Sequence, residues 1–108
     1  MSVTKKLVRA AFRHATFTRD RFCCVMCPFK SSPDRAEDEL DAHHVANREA
    51  MPNGGYVKEN GISLCGPCHI KAEEFYSIGV AHPGYSPEEL YKVIRSSKQL
   101  AIRASERL

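Results

Sequence analysis

Apolar positions recur at helical spacing from Val3 to about Thr18, where Leu7, Val8, Ala11, Phe12 and Ala15 are interleaved with lysines and arginines. The pattern predicts an amphipathic helix. Cys23 to Phe29 is a short, apolar, cysteine-bearing run that ends around Pro28, and it reads as a strand turning through a metal knuckle. Ser31 to Glu39 is polar and carries the turn signal Ser-Ser-Pro-Asp, so a loop is expected there. Leu40 to Val45 and Ile62 to Leu64 are short strand candidates. The stretch between them, Ala46 to Glu59, contains Pro52 and the triplet Asn53-Gly54-Gly55, as suits the extended loop of a hairpin. Cys68 to about Ile78 lacks glycine and proline and predicts a helix that Gly79 stops. A closing helix over about 86–107 begins with Ser86 as cap, Pro87 at the first helical position and Glu88 and Glu89 in the first turn. Leu90, Val93, Ile94, Leu100, Ala101 and Ala104 form its apolar stripe. The chain has no internal repeat and no low-complexity segment.

A length of 108 residues suits one domain, and a domain this small gains usefully from a metal or disulfide staple. The cysteine count is odd, at five, and the first thirteen residues carry Lys5, Lys6, Arg9 and Arg13 in place of an uninterrupted apolar segment. Both features argue for an intracellular, soluble protein; the cytoplasm of a bacterial or phage-infected cell is the expected setting. No run approaches the roughly 20 apolar residues needed to cross a bilayer.

The formal net charge of +3 is unevenly spread. Residues 1–22 carry +5, residues 23–91 carry −6 and residues 92–108 carry +4. Basic ends suit a phosphate backbone, and a carboxylate-rich centre suits a divalent cation. Solvated helix faces are the plainer explanation of the same distribution.

Cys24-Val25-Met26-Cys27 and Cys65-Gly66-Pro67-Cys68 are two C-x-x-C knuckles separated by about forty residues. Four thiolates fill a tetrahedral Zn²⁺ shell with no open position, which is the signature of a structural site. The alternative, a disulfide or redox pair, fits an intracellular chain less well. Cys23 also lies within reach of Cys27, but the two-residue spacing favours Cys24 and leaves Cys23 as a small buried apolar group.

Between the knuckles stands Asp41-Ala42-His43-His44, followed by Asn60 and, nine residues later, His69 directly after Cys68. With Arg19-Asp20 shortly before the first knuckle, this constellation resembles the HNH, or ββα-metal, nuclease family. The segment from Asn53-Gly54-Gly55-Tyr56 through Asn60-Gly61-Ile62-Ser63 is similar to the loop and second strand of the bacterial colicin DNases. The resemblance spans residues 19 to about 76.

The resemblance implies an α+β fold: a ββα-metal core over about 19–78, held by zinc and flanked by N- and C-terminal helices. It gives His44 the place of the general base. His43 and His69 take the places of metal ligands. Asn60 takes that of the residue tying the loop to the backbone, and Asp41 that of an orienting acid. Where many members have a further histidine, four residues after His69, this chain has Glu73. The i, i+4 spacing lets Glu73 reach the same ion as His69, and its carboxylate favours Mg²⁺ or Mn²⁺. The alternative is that Glu73 or its neighbour Glu74 is only a solvated helix acid. Neighbouring strand residues point to opposite faces, so His43 and His44 can share a site only where the strand bends or ends. His14 and His82 read as ordinary surface or core residues, and Phe12, Phe17, Phe22 and Phe29 as core; Tyr56 fits neither role clearly.

The expected activity is metal-dependent hydrolysis of DNA phosphodiester bonds by a His general base and a single divalent cation, with 5′-phosphate and 3′-hydroxyl products implied by the resemblance. DNA is the expected partner. A homodimer is compatible with the sequence, and neither a membrane nor a small-molecule substrate is expected. A zinc-knuckle DNA-binding module without catalysis and a zinc-stabilised interaction protein are the rival classes. Binding alone needs none of Asp41, His43, His44, Asn60 and His69.

Overall fold

In the computed structural model, residues 2–108 are described, with side chains from Thr4 onward. Helix α1 (Ser2–Arg19) forms where the apolar spacing predicts it. Its buried face is narrower than expected: Phe12, Thr16 and Phe17 are buried, while Leu7 is 66% exposed and Ala11 is also exposed. The reason is length. The hairpin beneath it has four-residue strands, about 13 Å long, whereas α1 extends about 27 Å, so only its last turns find a partner.

The end of α1 is tied to the hairpin by charge. Arg19 Nε and Nη2 each lie 2.8 Å from the Asp20 carboxylate, and the guanidinium also donates to the Lys58 carbonyl (2.5 Å) and the Gly61 carbonyl (2.7 Å). Asp20 in turn accepts from the Ser63 N–H at 2.9 Å. The chain then reverses through Arg21 and Phe22, at φ 56° and 59°, a left-handed pair that costs non-glycine residues energy and delivers the first knuckle against β2. Val25 N–H donates to Ser63 O there (3.0 Å), and Cys23 bridges to Lys30.

The polar stretch expected to be a loop contains one helical turn, α2 (Ala36–Glu39), anchored by the buried Ala36, whose N–H donates to Ser32 O at 2.9 Å. Strands β1 (Asp41–His44) and β2 (Gly61–Leu64) pair antiparallel, with Asp41 opposite Leu64, His43 opposite Ile62 and His44 opposite Gly61. Gly61 is required at its place. A Cβ there would sit 2.5 Å from Thr16 Oγ1 and 2.7 Å from the Phe12 ring, so the bare backbone lets α1 lie directly on the hairpin.

Helix α3 (Gly66–Ile78) starts two residues earlier than expected, with Pro67 in its first turn, and stops at left-handed Gly79. The closing helix is two: α4 (Pro87–Val93), with a complete Ser86–Glu89 capping box, and α5 (Lys98–Glu106), capped by Ser97. Arg95, at φ 56°, breaks the run, and Val93 and Leu100 of the expected stripe are consequently about half exposed. Phe29, expected in the core, is 40% exposed at the knuckle's outer edge. The result is a small α+β fold around a ββα core formed by β1, β2 and α3. Among the described residues, no helix is long and apolar enough to cross a membrane.

Candidate active site and metal centres

The first knuckle hangs on β2, and the second is the β2–α3 junction itself, so the hairpin brings the two together. The Sγ atoms of Cys24, Cys27, Cys65 and Cys68 all lie within 4.8 Å of one another, and Cys27 and Cys65 are 3.6 Å apart. Zn–S bonds of about 2.3 Å in a tetrahedron separate the sulfurs by roughly 3.8 Å, so the four residues fit a zinc ion; a disulfide needs about 2.05 Å. Burial pushes the Cys24 thiol up to about 12, whereas the Phe29 backbone N–H holds Cys27 below its ordinary value. Tyr85, 17 residues beyond Cys68, donates its hydroxyl to Cys68 Sγ at 3.4 Å. Cys23 stands apart from the four and is half-buried rather than a core residue, its Sγ 3.3 Å from Arg21 O.

Strand alternation sends the two histidines of β1 in opposite directions. His43, 3% exposed, faces α3: its Nδ1 is 3.3 Å from Glu73 Oε2, and its ring centre is 5.2 Å from that of His69. His69 Nδ1 lies 3.2 Å from Asp41 Oδ2. His69 and Glu73 fall on one face of α3, one turn apart, and Tyr76 continues that face by donating to Val45 O. His43, His69 and Glu73 each present a donor atom within 4.8 Å of the other two. Glu74 points elsewhere, 3.7 Å from His82 Nδ1.

Two adjacent ligands of an octahedral Mg²⁺ or Mn²⁺, each about 2.1 Å from the ion, lie roughly 3.0 Å apart, which the His43–Glu73 separation approaches. The Nε2 atom of His43 is buried with no hydrogen-bond partner among the described residues. Burial and the neighbouring His69 and His44 pull His43 down to about 3, so the imidazole is neutral at pH 7, the form in which it can ligate. The three donor atoms of His43, His69 and Glu73 lie close enough together to hold one metal ion.

His44 faces α1. Its ring packs 4.5 Å from Phe12 and edge-on to Tyr56 at 4.8 Å. Its Nε2 is buried without a partner, which leaves Nδ1 as the nitrogen able to meet solvent. Burial, and secondarily Arg48, pull its pKa down to about 4. β1 ends at His44, and a cleft of about 300 Å³ is lined by both His43 and His44 together with Asn47, Arg48, Glu49, His69 and Glu73. The strand end thus lets residues of opposite faces border one space.

Asn60 is fully buried and does not line this cleft. Its Oδ1 accepts from the Ala46 N–H (3.0 Å) and the Tyr91 hydroxyl (2.7 Å), and its Nδ2 donates to Ala46 O (3.1 Å) and Gly55 O (3.3 Å). This latch closes the loop between β1 and β2, in which Asn53, Gly54 and Gly55 all take positive φ. The C-terminal helices brace the same loop: Ser96 donates to Glu59 O (2.7 Å) and Asn53 to Ser105 O (3.0 Å).

Tyr91, Arg48 and Phe12 escaped the sequence reading as site residues. Tyr91 and Asn60 are 31 residues apart, and no local pattern links them. Arg48 carried the one available signal, a lone basic residue just past the histidine pair in an acidic region.

Residues 24–75 match the model of a family described as HNH endonuclease. No curated protein and no solved structure matches the chain.

Proposed function

We propose that this chain, whose residues 24–75 belong to the HNH endonuclease family, is a metal-dependent DNA endonuclease that hydrolyses phosphodiester bonds with one histidine base and one divalent cation. The observation that carries the reading is the convergence of His43, His69 and Glu73 donor atoms within 4.8 Å, on a cleft that His44 also lines.

In this reading His43, His69 and Glu73 hold Mg²⁺ or Mn²⁺. The cation supplies Lewis-acid stabilisation of charge on the reacting phosphoryl group and on the leaving 3′ oxygen. His44 Nδ1 accepts the proton of the attacking water, the ring being neutral at pH 7 because burial lowers its pKa. The Phe12 and Tyr56 rings fix the imidazole in place. Asp41 orients His69 through Nδ1, the arrangement by which a carboxylate commonly sets the tautomer of a metal-ligating histidine. Asn60 acts at one remove, as a positioning residue for the loop that carries Arg48 and Tyr56. The bond from phosphorus to the 3′ oxygen breaks, and that oxygen takes up a proton from solvent, which leaves 5′-phosphate and 3′-hydroxyl ends. The four cysteines hold a closed, structural zinc, which suits the reducing interior of a cell. Residues 1–108 work as one unit.

Incubating purified protein with supercoiled plasmid tests this. Nicked or linear product is expected with Mg²⁺ or Mn²⁺ and none once a chelator is added. Tight plasmid binding without cleavage under any divalent cation would replace the reading with that of a binding module.

A further inference from the structure

Lys5, Arg9 and Arg13 lie at i, i+4 and i+8 of α1 and therefore share one side of the helix. That side borders two further clefts. One, of about 460 Å³, is lined by Lys5, Arg9, Arg48 and Tyr56; the other, of about 260 Å³, by Arg9, Arg13, Arg48, His44 and Tyr56. Arg48 also lines the metal cleft, so it belongs to all three spaces and marks where they meet.

We propose that the DNA strand to be cut lies along the Lys5–Arg9–Arg13 side of α1, and that Arg48 grips the phosphate beside the cation where that groove opens into the metal cleft. The proposal rests on the nuclease reading above.

Arg48 and Arg9, which line one cleft with His44, are positioned by an aromatic ring and form no salt bridge, although Glu49 stands near Arg48. Arg48 Nη1 donates to the Tyr56 hydroxyl at 3.0 Å, and the Arg9 guanidinium sits over the same ring, 6.0 Å from its centre. Among the described residues neither Arg9, Arg48 nor Lys5 has a carboxylate within 4.0 Å; Arg13 pairs with Glu37 at 3.0 Å, but both side chains are substantially exposed and open to exchange. Pre-positioned guanidinium forks that form no salt bridge match phosphate oxygens in charge and shape. Their contacts fix the register of a duplex and carry no base sequence. The basic residues of the other end are placed differently. Arg95, Lys98, Arg103 and Arg107 belong to the segment bracing the hairpin loop, and none lines a cleft containing His43 or His44. Both charged ends were expected to meet DNA; the geometry selects one.

The test compares Lys5→Gln/Arg9→Gln, Arg48→Gln, Arg48→Lys and, as control, Arg103→Gln/Arg107→Gln. Affinity for a labelled DNA duplex is measured without added divalent cation over a range of salt concentrations. The α1 pair should weaken binding about tenfold or more and flatten the log–log salt slope by about 2, one unit per lost phosphate contact, while the control stays at wild type. Plasmid cleavage by Arg48→Gln should stay slow at saturating DNA, with Arg48→Lys between it and wild type; the α1 pair should recover at saturation. Unchanged affinity and slope in the α1 pair, or loss confined to the control, overturns the groove. So does tighter binding of an RNA duplex of the same sequence with the same dependence on α1. Because binding is read without cleavage, a wild type that binds through α1 but never cuts defeats only the nuclease reading, and a wild type that cuts while the α1 pair binds normally defeats only the groove.

Discussion

Asn60 offers the sharpest separation of architecture from chemistry. Asn60→Ala removes four hydrogen bonds at once and leaves the Ala46 N–H and C=O, the Gly55 C=O and the Tyr91 hydroxyl inside the protein without a partner. Each abandoned buried group costs about 1–3 kcal/mol, so the loss exceeds about 4 kcal/mol before the cavity is considered. That is a large part of the 5–15 kcal/mol typical of folded proteins and corresponds to roughly 20 °C in Tm for a chain of this size. Tyr91→Phe removes one of the four bonds and leaves Asn60 Oδ1 satisfied by Ala46, so it should cost only about 1 kcal/mol. The assay is urea unfolding of the zinc-loaded protein, monitored by circular dichroism. An Asn60→Ala midpoint no lower than that of Tyr91→Phe would refute the latch, whatever happened to activity.

Three other substitutions probe separate links. Cys65→Ser opens the closed thiolate shell, and because structural zinc contributes on the order of 10 kcal/mol of folding free energy, the variant should be unfolded or aggregated; folded, active protein with no zinc by elemental analysis would remove the zinc site. Gly61→Ala drives a methyl group into Thr16 and Phe12, which should cost about 1–3 kcal/mol and slow cleavage by shifting the ring that supports His44; a normal Tm and rate would show that α1 is free to move away. Glu73→Ala should weaken Mn²⁺ binding by calorimetry while Glu74→Ala should not, and equal effects would mean that Glu73 is a solvated helix acid.

What the sequence revealed was mostly what short spacings encode. Two C-x-x-C pairs, a histidine pair, and an asparagine nine residues before a histidine are local patterns, and the fold gathers the four cysteines into one group and His43 and His69 into another. Contacts between distant segments were silent. Nothing in residues 85–108 signalled that Tyr91, Ser96 and Ser105 would hold the loop of a hairpin thirty to fifty residues earlier. The apolar stripe from Leu90 to Ala104 keeps helical spacing across the break at Arg95, so periodicity could not detect it. Ser96-Ser97 was the available cue, since serine competes for backbone hydrogen bonds inside a helix and favours a cap, the role Ser97 takes. The likeness between the ends was equally uninformative: both are basic, but of the two only α1 lines a cleft shared with His44.

The central claim, that His44 moves a proton while His43, His69 and Glu73 hold the cation, is tested most directly by single-turnover cleavage measured beside Mn²⁺ binding in His44→Ala and His69→Ala. The account predicts that His44→Ala binds Mn²⁺ as wild type does and keeps its fold, zinc and DNA affinity, but cuts about 10²–10⁴ times more slowly. His69→Ala should lose Mn²⁺ binding and activity together. A His44→Ala protein that cuts at the wild-type rate with wild-type metal dependence would contradict the account.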